Sequence, residues 1–370
     1  MIPVCEPALD GRELEYVRDC IETSWISSAG KYINLFEEKF AAYCGARYGI
    51  ACSSGTTAIH LAMVALGIGP GDEVIIPDFT LIVSANMVVL AGAKPVLVDV
   101  DKRTWCIDPK LIEAKITDRT KAIMAVHMYG HPCDMTAINE IARKHNLFVV
   151  EDCAEAHGAE VNGVKVGCLS DAACFSFYGN KILTTGEGGM VTCNDEEISK
   201  RLRLLCNQGF QEPRFVHGVM GFNYRLTNVQ AAIGLAQTEM AESKIEKKRW
   251  IGQKYNELLA DWPHLTLPIE EPWAKNVYWM YGVLINDSFG LSKDQLMTEL
   301  KTKGVDTRSF FCPMSIQPVF KGSDSRFPDT AGTYPVSVDL WNRGLYLPSG
   351  LPLTQEDIET VVDKIKECKN

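Results

Sequence analysis

The sequence predicts an α/β fold: a largely parallel sheet covered by helices, followed by a smaller C-terminal α+β domain. Three observations carry this expectation. Short apolar runs alternate with helical patterns between about residues 45 and 195. Those runs are apolar throughout rather than alternating, as strands covered on both faces must be. Beyond a long helical stretch the pattern changes to one strand-like run and two further helices.

Taken in order, the expected strands are Tyr48–Cys52, Glu73–Ile76, Pro95–Val98, Ala122–Val126, Leu147–Glu151 and Cys174–Phe177. Between them the expected helices are Thr56–Leu66, Leu81–Leu90, Pro109–Lys115 and Met135–Lys144. In the first helix Ile59, Ala62, Met63 and Leu66 recur at i, i+3, i+4, i+7 and so share one face. A long helix is expected from Asn228 to about Leu259, then a strand at Val277–Ile285. Ser292-x-x-Gln295 has the spacing of a capping box, in which each side chain satisfies an amide at the start of a helix. The chain ends in a helix over Thr354–Cys368, with Ile358, Val361, Val362 and Ile365 on one face. This divides the chain into a large domain, 1–245 including the N-terminal segment, and a small domain, 246–370.

Composition narrows the function classes. The 370 residues are 46% hydrophobic and 23% charged, enough for sizeable cores without disulfide staples. A net charge of −10 opposes binding to a phosphate backbone, so no nucleic-acid partner is expected. The 13 cysteines are irregularly spaced with no C-x-x-C pair, and the seven histidines show no H-E-x-x-H spacing. They read as free thiols in a reducing compartment, with no metal site. The N-terminus turns acidic within ten residues, and no apolar run approaches the ~18 residues of a membrane span. The expected location is the cytoplasm, with no membrane partner.

Four segments could carry chemistry. Gly67-Ile68-Gly69-Pro70-Gly71 is glycine-rich, but it follows a helix and precedes a strand, the reverse of a phosphate loop. It reads as a helix end and a turn. Ser53-Ser54-Gly55-Thr56-Thr57 follows a strand and opens a helix, where free amides and hydroxyls make an anion site. Simple N-capping by Ser54 accounts for the same residues equally well. In Val149-Val150-Glu151-Asp152 an apolar strand ends in a carboxylate, where open sheets place functional groups, although Asp152 alone could cap a following helix. Lys181 follows the apolar run Cys174–Phe177 and precedes Thr184-Thr185-Gly186-Glu187-Gly188-Gly189. Desolvation there would lower its pKa and make it a nucleophile, whereas most lysines are simply exposed. Together, a phosphate cradle, a carboxylate at a strand end and a loop lysine match the needs of pyridoxal phosphate.

The motifs SSGTTA, EDCAEAHGA, FSFYGNK, TTGEGGM and GFNYRLTNVQAAIGLAQ resemble those of the DegT/DnrJ/EryC1/StrS family of sugar-nucleotide aminotransferases, in order and spacing along nearly the whole chain. The likeness is greatest to its perosamine synthase-like branch of 4-aminotransferases. It implies the aspartate aminotransferase-type fold (fold type I), with a mixed, mostly parallel sheet, working as a homodimer with shared active sites. It implies Lys181 as the catalytic lysine that anchors pyridoxal phosphate, Asp152 on the pyridine nitrogen and Glu155 near the ring hydroxyl. Thr56, Thr57 and Ser176 would hold the phosphate, with Asn223 reaching it from the neighbouring subunit. Ala154 and Leu81 would pack on the two ring faces. Trp25, Ser27, Arg225 and Ser315 fall at positions expected near the substrate. The implied reaction passes an amino group from L-glutamate to a nucleotide-linked 4-keto-6-deoxyhexose.

Three positions depart from the family pattern. Leu81 stands where many members carry an aromatic ring, Ser315 where perosamine synthases usually carry histidine, and Arg214-Phe215-Val216-His217 lacks a tyrosine–tryptophan pair. The nucleotide (GDP, UDP or dTDP) and the sugar configuration, perosamine or viosamine, therefore stay open. So does a non-catalytic, cofactor-binding role, although the chain keeps both Lys181 and Asp152.

Overall fold

Six of the apolar runs join one sheet, where their β-branched and apolar residues are buried between helices. The structure is a computed structural model that describes residues 1–213 and 215–369. Its main sheet has seven strands in the order Tyr48–Cys52, Gly189–Cys193, Ala172–Ser176, Phe148–Asp152, Thr120–Val126, Glu73–Pro77 and Lys94–Val98. Every strand is parallel to the others except Gly189–Cys193, which runs antiparallel between its two neighbours. The sheet is therefore mixed and mostly parallel. All six strands expected from the sequence are present, Tyr48–Cys52 as drawn and the others with ends within two residues of those expected.

The sequence reading passed over the antiparallel strand, whose first residue ends the glycine- and threonine-rich loop. It also began too late in the chain for two helices. Glu13–Glu22 and Lys31–Cys44 cover the sheet from the N-terminal side, and the second buries Tyr32, Phe36, Phe40 and Cys44 at i, i+4 spacing. That periodicity was available as a signal.

Three expected elements are corrected. Pro109–Lys115 forms two short 3₁₀ turns, Pro109–Leu111 and Glu113–Lys115, because the adjacent Leu111 and Ile112 supply no helical stripe. The long helix is two, Asn228–Glu239 and Ala241–Leu259, broken at Met240 (φ −101°, ψ 8°). The run Val277–Ile285 is a strand only from Tyr281. Ahead of it the Val277 amide donates to the Gly130 carbonyl (3.1 Å), and Tyr278 takes a left-handed φ of 48°. These bonds draw residues 277–279 away from the strand and onto the loop after Thr120–Val126.

The small C-terminal sheet has the order Leu265–Thr266, Tyr281–Ile285, Gly344–Leu347, Arg308–Ser309, all antiparallel. Its core joins Tyr255, Tyr281, Phe289, Leu300 and Leu347 to Ile358, Val361 and Ile365 of the last helix, Gln355–Glu367. The helix Ala241–Leu259 belongs to both cores. Ala241 and Ile245 pack with the large sheet, and Ile251, Tyr255 and Leu259 with the small one. The 245/246 boundary drawn from sequence thus falls inside one continuous helix. All 13 cysteines are free thiols.

Three backbones converge at the carboxyl end of the main sheet. Gly189 pairs with Cys52 on one side and Ser176 on the other. A Cβ on Gly189 would overlap the Ser54 carbonyl, and one on Gly55 would lie 2.6 Å from the Ser176 Cβ. Glycine is required for this close approach. Gly189→Ala should lower unfolding stability by about 1–3 kcal/mol in a urea melt, as overpacking against backbone does. Gly179→Ala, whose Cβ would meet nothing closer than 3.9 Å, should leave the midpoint nearly unchanged.

Candidate active site

The carboxyl ends of the parallel strands open into a cavity of about 390 Å³, roofed by Trp279, Phe311 and Tyr346 from the C-terminal part of the chain. Its lining includes Ser54, Gly55, Thr56, Leu81, Asp152, Ala154, Glu155, Ser176 and Lys181.

The helix Gly55–Ala65 points its N-terminus at this cavity. Ser54 caps it: its hydroxyl accepts from the Thr57 amide (3.1 Å), and the Thr57 hydroxyl receives the Ser54 amide (3.0 Å). Capping and anion binding are thus compatible. The cap uses the third amide, while among the described residues the Gly55 and Thr56 amides have no partner. Thr57 is committed to the cap, its hydroxyl donating to the Ser54 carbonyl (2.9 Å), and it does not line the cavity. Thr56 and Ser176 do.

Asp152 is the last residue of its strand, and no helix follows, so capping is not its task. One carboxylate oxygen accepts from the Ala154 amide (3.2 Å) and the other from the Ser84 hydroxyl (3.2 Å). Burial raises its pKa above the usual carboxylate range. Glu155 accepts from the Tyr129 amide (2.8 Å), and burial pushes it up to about 7. Lys181 is 8% exposed, and desolvation lowers its pKa against the opposing pull of Glu155 and Asp152. Its Nζ lies 3.8 Å from the Trp279 ring centroid.

The other expected residues lie elsewhere. Ser315 is buried away from the cavity. Its amide and hydroxyl both donate to Asp78 (2.7 and 2.9 Å), which ties the segment after Phe311 to the end of the Glu73–Pro77 strand. Asn223 is exposed, and Thr227, not Asn223, caps the helix Asn228–Glu239. Trp25 is 57% exposed, and the Trp25 and Ser27 carbonyls accept from Asn228. Arg225 donates to Asn207 (2.9 Å) and lines a separate cavity of about 400 Å³ with Ser28, Gly30 and Arg203. Arg214 lies outside the described residues. Sequence reasoning missed Ser84, Trp279, Phe311 and Tyr346. The last three reach the cavity from the C-terminal part of the chain, and no local pattern marks them.

Among the described residues, His127, Glu151 and Cys153 also bring ligand-type atoms within 4.8 Å of one another. They are already used: the His127 Nδ1 accepts from the Cys133 amide, and Glu151 accepts from the amides of Gly167 and Leu169.

Pyridoxal phosphate fits this donor set. Two unpartnered helix-start amides with the Thr56 and Ser176 hydroxyls suit a phosphate. A buried carboxylate suits a pyridinium nitrogen, and a desolvated lysine lies in the same cavity.

The Glu155 shift has a stability consequence. Its folded-state pKa lies above the ordinary value of 4.5, so the ionised form costs stability as pH rises through about 7, and no cost remains below about 4.5. In the cofactor-free protein Glu155→Gln should therefore be more stable than wild type at pH 8.5, by on the order of 1–3 kcal/mol, and equal to it below pH ~4.5. Chemical denaturation at the two pH values checks this.

Comparison with known proteins agrees with this geometry. Residues 7–366 match the model of the DegT/DnrJ/EryC1/StrS aminotransferase family. GDP-perosamine synthase of Caulobacter vibrioides is 47% identical, over 98% of this chain and 96% of that protein. The protein of the same name from Escherichia coli O157:H7 is 42% identical, over 99% and 98%. Among solved structures, DesV of S. venezuelae, described in complex with a ketimine intermediate, aligns with a TM-score of 0.91 at 34% identity, over 97% of this chain and 94% of that one. TlmJ of Streptoalloteichus hindustanus aligns at 0.92 and 30%, over 100% and 98%. The chain belongs to the DegT/DnrJ/EryC1/StrS aminotransferase family.

Proposed function

We propose that this chain, a pyridoxal phosphate-dependent sugar aminotransferase, converts a GDP-linked 4-keto-6-deoxyhexose to the 4-amino-4,6-dideoxy sugar with L-glutamate as donor. The observation that carries this reading is the convergence of Lys181, Asp152 and Glu155 in one cavity whose floor offers free helix-start amides. Full-length likeness to GDP-perosamine synthases at 40–47% identity supports GDP and the 4-position.

Bound pyridoxal phosphate supplies an electron sink for charge developing at the carbon beside the transferred nitrogen. The chain supplies the rest. The Gly55 and Thr56 amides with Ser176 bind and orient the phosphate. Asp152, held by Ser84 and the Ala154 amide, stabilises positive charge on the ring nitrogen. Lys181 Nζ, its pKa lowered by desolvation, would take a proton from one of the two carbons flanking the transferred nitrogen and return it to the other, as base and then acid. Leu81 and Ala154 offer apolar surface to the ring. Phe311, Tyr346 and Trp279 close the small-domain side against water.

The reading includes a homodimer. Asn223 and Trp25 are exposed and lie outside the cavity of their own chain, which leaves them available to a neighbour's. Phe215, Val216 and Met220 form an exposed apolar run just ahead of Asn223, which supports an interface there. Among the described residues no helix is long and apolar enough to cross a membrane. The abundance of free thiols supports a cytoplasmic location.

The test is incubation with glutamate and a panel of GDP-, UDP- and dTDP-linked 4-keto-6-deoxyhexoses, with products identified by mass and NMR. A GDP-linked 4-amino product is expected; amination of only UDP or dTDP sugars would reassign the nucleotide. Lys181→Ala should abolish turnover with the fold intact. Asp152→Asn should lower the rate by orders of magnitude, since removing one opposite charge shifts a neighbouring pKa by ~1–3 units. Mixing inactive Lys181→Ala and Asn223→Ala chains should restore about one working site per hybrid dimer. No recovery in a verified hybrid would end the shared-site reading.

A further inference from the structure

Trp279 makes two different interactions at Lys181, one with the main chain just ahead of it and one with its amine. Its Nε1–H donates to the main-chain carbonyl of Asn180 (2.8 Å), the peptide immediately ahead of Lys181. Its ring face lies under the Lys181 Nζ at 3.8 Å from the centroid. An ammonium over an indole face is attracted by the ring quadrupole, and tryptophan is the strongest side chain for this.

The indole is itself held in place. Trp279 is 3% exposed and stacks on Tyr129, with centroids 6.3 Å apart at an interplanar angle of 23°. The loop that carries it is locked against the turn 128–130. Gly130 has φ 104°, and a Cβ there would lie 2.7 Å from the amide nitrogens of both Tyr278 and Trp279. The Asn276 side chain accepts from the Tyr278 amide (2.9 Å) and steadies its left-handed conformation. A second donor meets the same Asn180 carbonyl, the Cys5 thiol (3.4 Å).

We propose that Trp279 is a positioning residue for Lys181: its N–H fixes the main chain ahead of the lysine, and its face holds the terminal amine. This rests on the reading of Lys181 as the reactive amine. It gives the small domain a direct hold on the reactive group of the large one. The charged and titratable groups facing Lys181 are Asp152 and Glu155 from the strand end and turn, Cys5 from the N-terminal segment, and the neutral ring of His157. Asp152 and Glu155 favour the ammonium, and desolvation opposes it. The indole face adds to the favourable side, so weakening it should lower the lysine's pKa and free more neutral amine at a given pH.

The test uses full-length protein without cofactor. Trace acetylation by acetic anhydride, which modifies only neutral amines, is followed at the Lys181 peptide by mass spectrometry across pH ~6–11. Fluorinated tryptophans keep the ring's shape and fold while weakening its negative face. Across a series of increasing fluorination, and in Trp279→Leu, the labelling midpoint should fall stepwise, by up to about one pH unit, a tenfold rise in rate below the midpoint. Trp279→Phe, which keeps a weaker face but lacks the N–H, should show a smaller fall in midpoint. Its amide exchange across residues 178–186 should rise about tenfold, because the Asn180 carbonyl has lost its stronger donor. A midpoint that stays fixed or rises across the fluorinated series overturns the proposal. Borohydride tagging of the lysine that captures added pyridoxal phosphate separates the two ideas. A tag at another lysine overturns the reading of Lys181 and this inference with it. A tag at Lys181 with no midpoint shift overturns the role of Trp279 alone.

Discussion

Burying one ammonium beside two carboxylates is the constraint on which the rest of this structure depends. An isolated charge in a dry interior is untenable, and three such groups together are tolerable only if each is held at a fixed place beside an opposite charge, a hydrogen-bond partner or an aromatic face. The chain meets this with main-chain groups more than with side chains. Asp152 takes the Ala154 amide and Glu155 the Tyr129 amide. The Lys181 amide donates to the Tyr178 carbonyl (2.9 Å), and the carbonyl ahead of it receives Trp279. Each of these bonds requires the backbone to be rigid at that point, and the parallel sheet provides that rigidity. Its strands end together, so residues far apart in sequence are delivered to one cavity with little freedom.

The same logic explains why glycine stands at 55 and 189. The helix start, the antiparallel strand and the Ser176 strand end must approach to backbone contact for two helix amides and one hydroxyl to face the same space. One antiparallel strand in an otherwise parallel sheet makes this possible. It returns the chain from the Lys181 loop to lie between the first strand and the strand that carries Ser176. The loop bearing the lysine is thereby tied at both ends to the strands it serves.

Much of this was legible in the sequence, and the limits have physical causes. Strands buried on both faces leave continuous apolar runs, so all six parallel strands and the helix opened by Ser54 could be read. Asp152 and Lys181 stood out because a charge directly after an apolar run is conspicuous. Three of the missed residues, Trp279, Phe311 and Tyr346, come from the C-terminal part of the chain and approach the cavity through tertiary contacts only. Trp279 sat in a run that reads as strand by composition, and hydrogen bonds to Gly130 and Asn276 overrode that propensity. Thr57 shows the converse. Its residue type suits an anion site, but a hydrogen bond three residues away had already claimed its hydroxyl.

Ser315 belongs to a second set of anchors at the strand ends. The family resemblance points this position toward the substrate, yet its amide and hydroxyl both donate to Asp78, and the Met314 amide donates to the Asp78 carbonyl (2.8 Å). Burial raises the Asp78 carboxyl to about 6, so the pair is held in a dry junction. Asp99 makes an equivalent anchor at the start of the helix Pro335–Arg343, accepting from the Val336 and Ser337 amides (3.0 and 2.9 Å). Two acids at the ends of adjacent parallel strands thus fasten two segments from the C-terminal part of the chain. The first of these carries Phe311 into the cavity wall, with the Phe311 amide donating to the Tyr129 hydroxyl (3.2 Å). The serine makes short bonds into the end of the sheet, so that residue 315 shapes the cavity wall by setting where Phe311 stands.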